Sequence, residues 1–405
     1  MFHRSFCQAG SDVRGFTGIK RCRSCTTESC PGLYAIRKSN MSKPLKIGLV
    51  GTGSIAHAHL PAFKQFPGRV QITAVCDIRQ QAADRFAELA GTDVVFTDFE
   101  RMLKEADIDA VDICTVHNQH RHQVIAAAEA GKHILLEKPM GITLDECREM
   151  LKATDAAGIT YMIAQCLRYL PNSQWVRQRI IEGEFGDIWA LRSDNFASMV
   201  PPKSKIDTDK STGPGIWYLD GKQAGGGALI SQSTHHIDLF RYYIGDISRV
   251  TATSWTDHPF FINGAEESIA ATMEFENGAV AQVLSSWASR TPWNHHYWLL
   301  GELGSVTSRL MPGSSPAEQY IGPLDVSLPR FDDDKSSRAF VPLDIADTDL
   351  PTHLPFVNEI LHFADCCQSG AEPLSSGTDN LGTMKAVLGI YESAKTGQPV
   401  SLADI

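Results

Sequence analysis

The chain has 405 residues, 43% of them hydrophobic and 21% charged, a composition typical of water-soluble proteins and long enough for two apolar cores. No apolar run approaches the roughly 18 residues of a membrane span, and a formal net charge of −10 opposes a nucleic-acid surface. Small molecules are the expected partners.

Residues 1–42 read as a disordered tail. The first 40 carry seven Lys or Arg against two Asp or Glu, a net of +5 that leaves −15 on the rest, and hold four of the ten cysteines with little apolar periodicity. Cys22 and Cys25 have the spacing of half a zinc knuckle but lack a second ligand pair. An Arg-rich, acid-poor start also fits a transit peptide or an extended start before Met41. Lys46 to Val50 then forms an apolar strand, followed by the turn Gly51-Thr52-Gly53-Ser54-Ile55-Ala56, a helix from Ser54 to about Phe66 and a second strand from Gln71 to Asp77. Gly51 permits the turn, Gly53 lets the backbone approach a pyrophosphate, and Ala56 is small enough for the helix to pack on the strand. The helix N-terminus offers free N–H groups to phosphates. Asp77 lies 21 residues beyond Ala56, close to the spacing of an acid that accepts from a ribose 2′-hydroxyl. Its carboxylate favours NAD, while Arg79 offers a contact for a 2′-phosphate that would admit NADP.

Helical and apolar segments alternate onward: helix from Gln80 to Ala90, strand from Val94 to Phe96, helix from Phe99 to Lys104, strand from Ala110 to Val116 and an Ala-rich helix from His122 to Ala130. A strand from His133 to Leu136, a helix opened by the capping box Thr143 to Glu146 and a strand from Ile159 to Ile163 complete the series. Such alternation requires a parallel sheet, so residues 43–165 are read as an α/β dinucleotide-binding domain. Residues 166–405 read as an α+β substrate-binding and oligomerisation domain. A helix from Asn172 to Glu182 precedes strands at Ile188 to Ser193, Ser248 to Trp255, Ser268 to Phe275, Ala279 to Ala288 and His296 to Leu300, with a hairpin at Asn277-Gly278. Met311 to Pro351 reads as an irregular excursion, and helices at Leu354 to Cys366 and Thr378 to Lys395 end the chain. The six cysteines beyond the tail fall mostly in these elements, as packed thiols of a reduced cytoplasmic protein would.

Two constellations carry chemistry. Glu137-Lys138-Pro139 follows a buried strand of the first domain, where open parallel sheets place their ligands, and the extended approach to Pro139 holds Lys138 at a fixed outlet. Gly225-Gly226-Gly227 opens a helix on which Ser231 and His235 stand four apart on one face, with Asp238 either orienting the His235 ring or pairing elsewhere. A histidine so placed suits proton transfer. Trp217, Tyr218, Trp293 and His295 are candidates for the faces of a polyol ring, and Arg168 for contact with substrate hydroxyls or an acid group. His117, His120 and His122 straddle a strand-to-helix turn with no carboxylate or cysteine to complete a set, so no metal is expected.

In order and spacing these motifs resemble the Gfo/Idh/MocA oxidoreductases, the family of glucose–fructose oxidoreductase and inositol dehydrogenase, over about Lys46 to Leu402. Thr115 to His120, Ala130 to His133, Arg168-Tyr169-x-Pro171, Gly183-x-x-Gly186 and Ser393 to Val400 add to the likeness. The resemblance implies a Rossmann domain followed by a domain with an open, mostly antiparallel sheet, and a nicotinamide held between them. It implies a sugar or cyclitol substrate, Lys138 and His235 in catalysis, and a homodimer or homotetramer formed on the sheet face. Thr115, His117, His120 and Glu137 join Lys138 around the cofactor, with His120 at the nicotinamide end of the cleft. Two departures stand out: Ser231 replaces the Asp of many members, removing a counter-charge for Lys138 and an orienter for His235, and the family's asparagine position is shifted to His117-Asn118.

The reaction so implied is hydride transfer from a carbinol, with His235 accepting the hydroxyl proton and Lys138 stabilising the developing alkoxide or relaying the proton. Two rival readings share the fold: a cofactor-binding sensor, as in the galactose-pathway repressor of yeasts, and an NAD-dependent glycosidase that oxidises its sugar transiently.

Overall fold

The computed structural model describes residues 43–203, 217–291, 293–310, 324–328, 339–343 and 355–405. The expected tail and its cysteines lie outside them. The first layer alternates strand and helix: β1 (Leu45–Val50), α1 (Ser54–Gln65), β2 (Val70–Cys76), α2 (Gln80–Ala90), β3 (Val95–Phe96), α3 (Phe99–Glu105), β4 (Ala110–Ile113), α4 (His120–Glu129), β5 (His133–Glu137), α5 (Leu144–Ala157) and β6 (Tyr161–Ala164). All six strands are parallel, in the order β3-β2-β1-β4-β5-β6. The order reverses between β1 and β4, which opens a crevice at their carboxyl ends. β4 and β6 are buried throughout, as a sheet covered on both faces requires. Asp98 caps α3 by accepting from the Arg101 N–H. Thr143 caps α5 as expected, but Glu146 reaches the N–H of Ile142 rather than that of Thr143.

The second layer begins with α6 (Pro171–Ile181) and β7 (Ile188–Phe196), and continues through α7 (Gly221–Ala224), α8 (Thr234–Ile244), β8 (Ile247–Trp255), β9 (Ser268–Phe275), β10 (Val280–Ser286), β11 (Asn294–Gly301) and β12 (Ser305–Leu310). It closes with β13 (Leu324–Ser327), β14 (Val341–Leu343), α9 (Pro355–Ser369), α10 (Gly377–Thr396) and β15 (Val400–Ser401). The nine strands run β14-β13-β12-β11-β7-β10-β9-β8-β15 and are antiparallel except for the parallel pair β7 and β10. The hairpin at Asn277-Gly278 joins β9 to β10, with Gly278 at φ +87°. β13 and β14 correct the reading of 311–351 as wholly irregular; Leu324 and Val326 point inward with period two, a signal too short to separate from its Pro- and Asp-rich surroundings.

One helix crosses between layers. Val357, Ile360, Leu361 and Phe363 of α9 are buried in one cluster with Ile47, Leu49 and Phe63, so the core behind β1 is completed by residues some 300 positions downstream. Each such side chain contributes roughly 1.5–3 kcal/mol by leaving water.

Candidate active site

A cleft of about 910 Å³ runs from the turn after β1, past the ends of β4 and β5, to α8 and β11. At one end Gly51 takes φ +84°, which favours glycine, and a Cβ there would meet the Cys114 carbonyl oxygen at 2.7 Å. Gly53, the N-cap of α1, has open space where a Cβ would stand, and neither a side-chain cap nor an acid satisfies the first turn of the helix. Unclaimed N–H groups facing open space suit a pyrophosphate. Asp77 Oδ2 accepts from the N–H (2.9 Å) and hydroxyl (2.8 Å) of Thr52, and Oδ1 from the N–H of Arg79 (2.9 Å). Burial works against its charge, yet these donors outweigh it and hold the carboxyl below its ordinary range. Arg79 leans back on Asp77 and is largely exposed. Ile78, 88% exposed between them, lies against the same cleft with Thr97 and Phe99, forming an apolar rim suited to an adenine face that sequence reading passed over; an apolar residue directly after a strand end is the signal that was available.

Ser54 and Ile55 line the turn, while Ala56 is fully buried and acts through its small size. The Thr115 hydroxyl donates to Gln123 Oε1 at 2.6 Å. His117 Nδ1 donates to the Ala224 carbonyl at 2.8 Å, and its ring stands edge-on to Trp217 with centroids 4.5 Å apart. His120 departs from expectation: it is fully buried behind the cleft, between the carbonyls of Pro139 (2.8 Å) and Thr115 (3.3 Å), and braces the outlet of β5 instead of lining the nicotinamide end. His122 is exposed and pairs with Glu100, so the three histidines do not converge.

Lys138 reaches across the cleft, its Nζ 2.6 Å from the main-chain oxygen of Ser231. That carbonyl is a neutral acceptor for the ammonium, where a carboxylate at position 231 would have added a counter-charge. Burial lowers the basicity of Lys138, partly offset by Glu137. Glu137 sits in the wall with its carboxylate committed to protein, Oε2 accepting the Lys138 N–H at 3.0 Å. Ser231 belongs to a π turn (Leu229–Ser233) ahead of α8, so Ser231 and His235 are not on one regular helical face as the spacing suggested, although both still line the cleft. Such turns recur at functional sites because they re-aim side chains. The turn is clamped: Glu266 accepts the N–H groups of Gly227 and Leu229, each at 2.6 Å, and burial pushes its carboxyl up to about 7 despite them. A Cβ on Gly227 would strike the Glu266 backbone, so close approach, not flexibility, explains the triple glycine.

His235 is 3% exposed; burial, then the neighbouring Lys138 and His295, hold its basicity well below the ordinary range, so it is neutral at pH 7. Asp238 does not orient it. Both Asp238 oxygens bind Arg168, at 2.6 and 2.7 Å, and Thr383 donates to one of them. Arg168, 3% exposed, is consumed in this pair together with Asp379 and the Leu374 carbonyl, which removes it from the substrate contacts; a buried guanidinium needs such partners, and an Arg168-to-Asp238 spacing of 70 residues gives no sequence signal. Opposite Lys138, Trp287 Nε1 donates to Gln232 Oε1 and Gln232 Nε2 donates to His295 Nε2, both at 2.6 Å. This chain and the rings of Trp217, Tyr218 and Trp293 form an aromatic wall with fixed polar points, of which Gln232 and Trp287 were not anticipated.

Residues 45–165 match the model of an oxidoreductase family with an NAD-binding Rossmann fold, and residues 173–307 the Gfo/Idh/MocA C-terminal domain. The chain is 26% identical over 366 residues to the D-apiose dehydrogenase of Paraburkholderia graminis, covering 90% of this chain and 91% of that one. It is 30% identical over 268 residues to the levoglucosan dehydrogenase of Pseudarthrobacter phenanthrenivorans, covering 59% and 66% respectively. Among solved structures, a levoglucosan dehydrogenase in complex with NADH and levoglucosan superposes with a TM-score of 0.77 at 24% identity, covering 89% of this chain and 100% of that one, which shows the shared fold.

Proposed function

Since the chain belongs to the Gfo/Idh/MocA oxidoreductases and carries their NAD-binding Rossmann domain, we propose that it oxidises a carbinol of a neutral sugar or cyclitol, with Lys138 and His235 as its acid/base pair. The observation that carries this reading is a single cleft bounded by the glycine turn, Asp77, Lys138 and His235. NAD, when bound, supplies the hydride acceptor. The phosphates fit the N-terminus of α1 beside Gly53, and the ribose fits the ionised Asp77, which favours NAD over NADP. Neutral His235 takes the hydroxyl proton; the Lys138 ammonium, anchored on the Ser231 carbonyl, stabilises charge on the same oxygen. In reduction the same groups return the proton. Trp217, Ser231 and the Gln232–His295 pair are proposed to hold the polyol, with the Ser231 hydroxyl enclosed and without a hydrogen-bond partner among the described residues.

The outer face of the nine-stranded sheet, with Trp255, Val280 and Leu284 exposed, is proposed as the face on which copies associate. Among the described residues no helix is long and apolar enough to cross a membrane. Incubating the protein with NAD and a panel of aldoses, cyclitols, an anhydrosugar and aryl glycosides tests the reading. Net NADH from a free sugar, an anhydrosugar or a cyclitol is expected. Aglycone release without net NADH, or neither product, would overturn it.

A further inference from the structure

Behind Lys138 lies a buried ionisable cluster for which the chemistry above has no use. Its centre is His59, fully buried midway along α1. Nδ1 stands 2.8 Å from Asp112 Oδ2 on β4, and Nε2 stands 3.2 Å from Glu137 Oε1 at the end of β5. The other Glu137 oxygen accepts the main-chain N–H of Lys138. We propose that His59 is a positioning residue that locks the cofactor-phosphate helix to the turn bearing Lys138 through the Glu137 carboxylate. The inference rests on the reading of Lys138 as a catalytic residue.

Three observations support it. Each ring nitrogen of His59 faces a carboxylate oxygen, an arrangement satisfied when both nitrogens donate, that is, by the imidazolium. Burial works against that charge, but Asp112 and Cys114 together outweigh it and raise the basicity of the ring. The cluster is also larger than a structural pair. Glu359 enters from α9, fully buried with neither oxygen hydrogen-bonded to a described residue, and the Cys114 thiol lies 3.5 Å from Asp112 Oδ1. Burial raises both, so they stay protonated and leave His59 as the cation between Asp112 and Glu137. Finally, apolar residues in place of the whole cluster could fill this contact between helix and sheet with little loss of stability, so ionisable groups kept directly under a reacting lysine point to use. Phe356 is the remaining ring against His59, with centroids 5.5 Å apart.

Removing the cation has a defined consequence. Without that donor the Glu137 carboxylate is no longer held in place beside the turn, so it supports the Lys138 ammonium less. Lys138 is otherwise faced by Cys166 and by the imidazoles of His117, His235 and His295, none of which carries the negative charge to replace it. Its already lowered basicity then falls further.

The test uses the full chain, NAD and the sugar that gives most NADH in the panel above. His59→Gln is expected to keep NAD affinity within about threefold, to lower kcat by up to about 10²-fold through misplacement of Lys138, and to move the basic limb of the kcat profile to lower pH by about one unit. Glu137→Gln leaves α1 untouched and should reproduce both changes, so it serves if His59→Gln does not fold. The double variant should be no slower than the slower single one. Lys138→Ala separates the two readings: if it turns over normally, the proposed function fails. If it is inactive while both Gln variants keep the kcat and pH profile of the parent, only the role of His59 falls. A lowered melting temperature with unchanged kinetics, or one metal ion per chain held by His59, Asp112 and Cys114, whose donor atoms lie within 4.8 Å of one another, would also overturn it.

Discussion

The two ends of the cleft are built on opposite principles, and their glycines display the difference. At the cofactor end Gly53 faces open space, kept clear for something the chain does not itself supply. At the end that carries Lys138 and His235, Gly227 is pressed against the Glu266 backbone and holds a π turn in place. The first end is built around main-chain groups of one βα unit, with the Asp77 carboxylate and the Ile78 rim beside them; the second is assembled from side chains of β5, the π turn, α8 and β11. A site that binds a common cofactor needs little more than a backbone cradle, whereas one that aims two titrating groups at one atom needs rigid support from several directions.

Substituting these glycines is the sharpest way to break the comparison. Gly227→Ala forces a methyl into a fixed backbone and is expected to cost about 3 kcal/mol or more, lowering the melting temperature and abolishing turnover. An unchanged melting temperature would show that the turn is not clamped. Gly53→Ala should leave the melting temperature close to that of the parent and weaken NAD binding about tenfold, or about 1.4 kcal/mol, in a titration of cofactor fluorescence. Loss of stability there would erase the contrast between the two ends.

Smaller effects sharpen it. Asp77→Asn keeps an oxygen for the Thr52 donors but removes the charge, so the ratio of NADP to NAD affinity should rise about fivefold. A ratio that stays put would dismiss Asp77 as the selector. The pH profile of kcat/KM for alcohol oxidation should be flat through neutrality. Burial disfavours the charged form of both groups: the acid limb, where His235 takes up a proton, falls well below the ordinary 6.5, and the basic limb, where Lys138 loses one, falls below 10.5. An acid limb above 6.5 would contradict the assignment of His235 as the neutral base.

The same contrast decides what sequence can reveal. The strand, glycine turn, helix and acid from Lys46 to Asp77 are local, and each glycine and the acid has a physical reason to sit where it does, so the cofactor end was legible with its sheet. That Lys138 and His235 line the cleft was legible because a strand end before proline and a glycine-led helix mark outlets of the backbone. What stayed hidden was tertiary. Arg168 finds Asp238 across 70 residues, His120 turns inward to brace Pro139, and Gln232 takes its orientation from Trp287 and His295. Nor does any local pattern announce that α9 returns to complete the first core, or that a π turn replaces the regular helix ahead of His235.

The central claim is that Lys138 and His235 act on one oxygen as a unit. Comparing NADH formation by Lys138→Ala, His235→Ala and the double variant, with NAD affinity measured alongside, tests it most directly. Each single change should lower kcat by roughly 10²- to 10⁴-fold with cofactor binding nearly intact, and the double change should cost little more than the worse single one. Losses that multiply across the two sites, or a single variant that turns over like the parent, would contradict it.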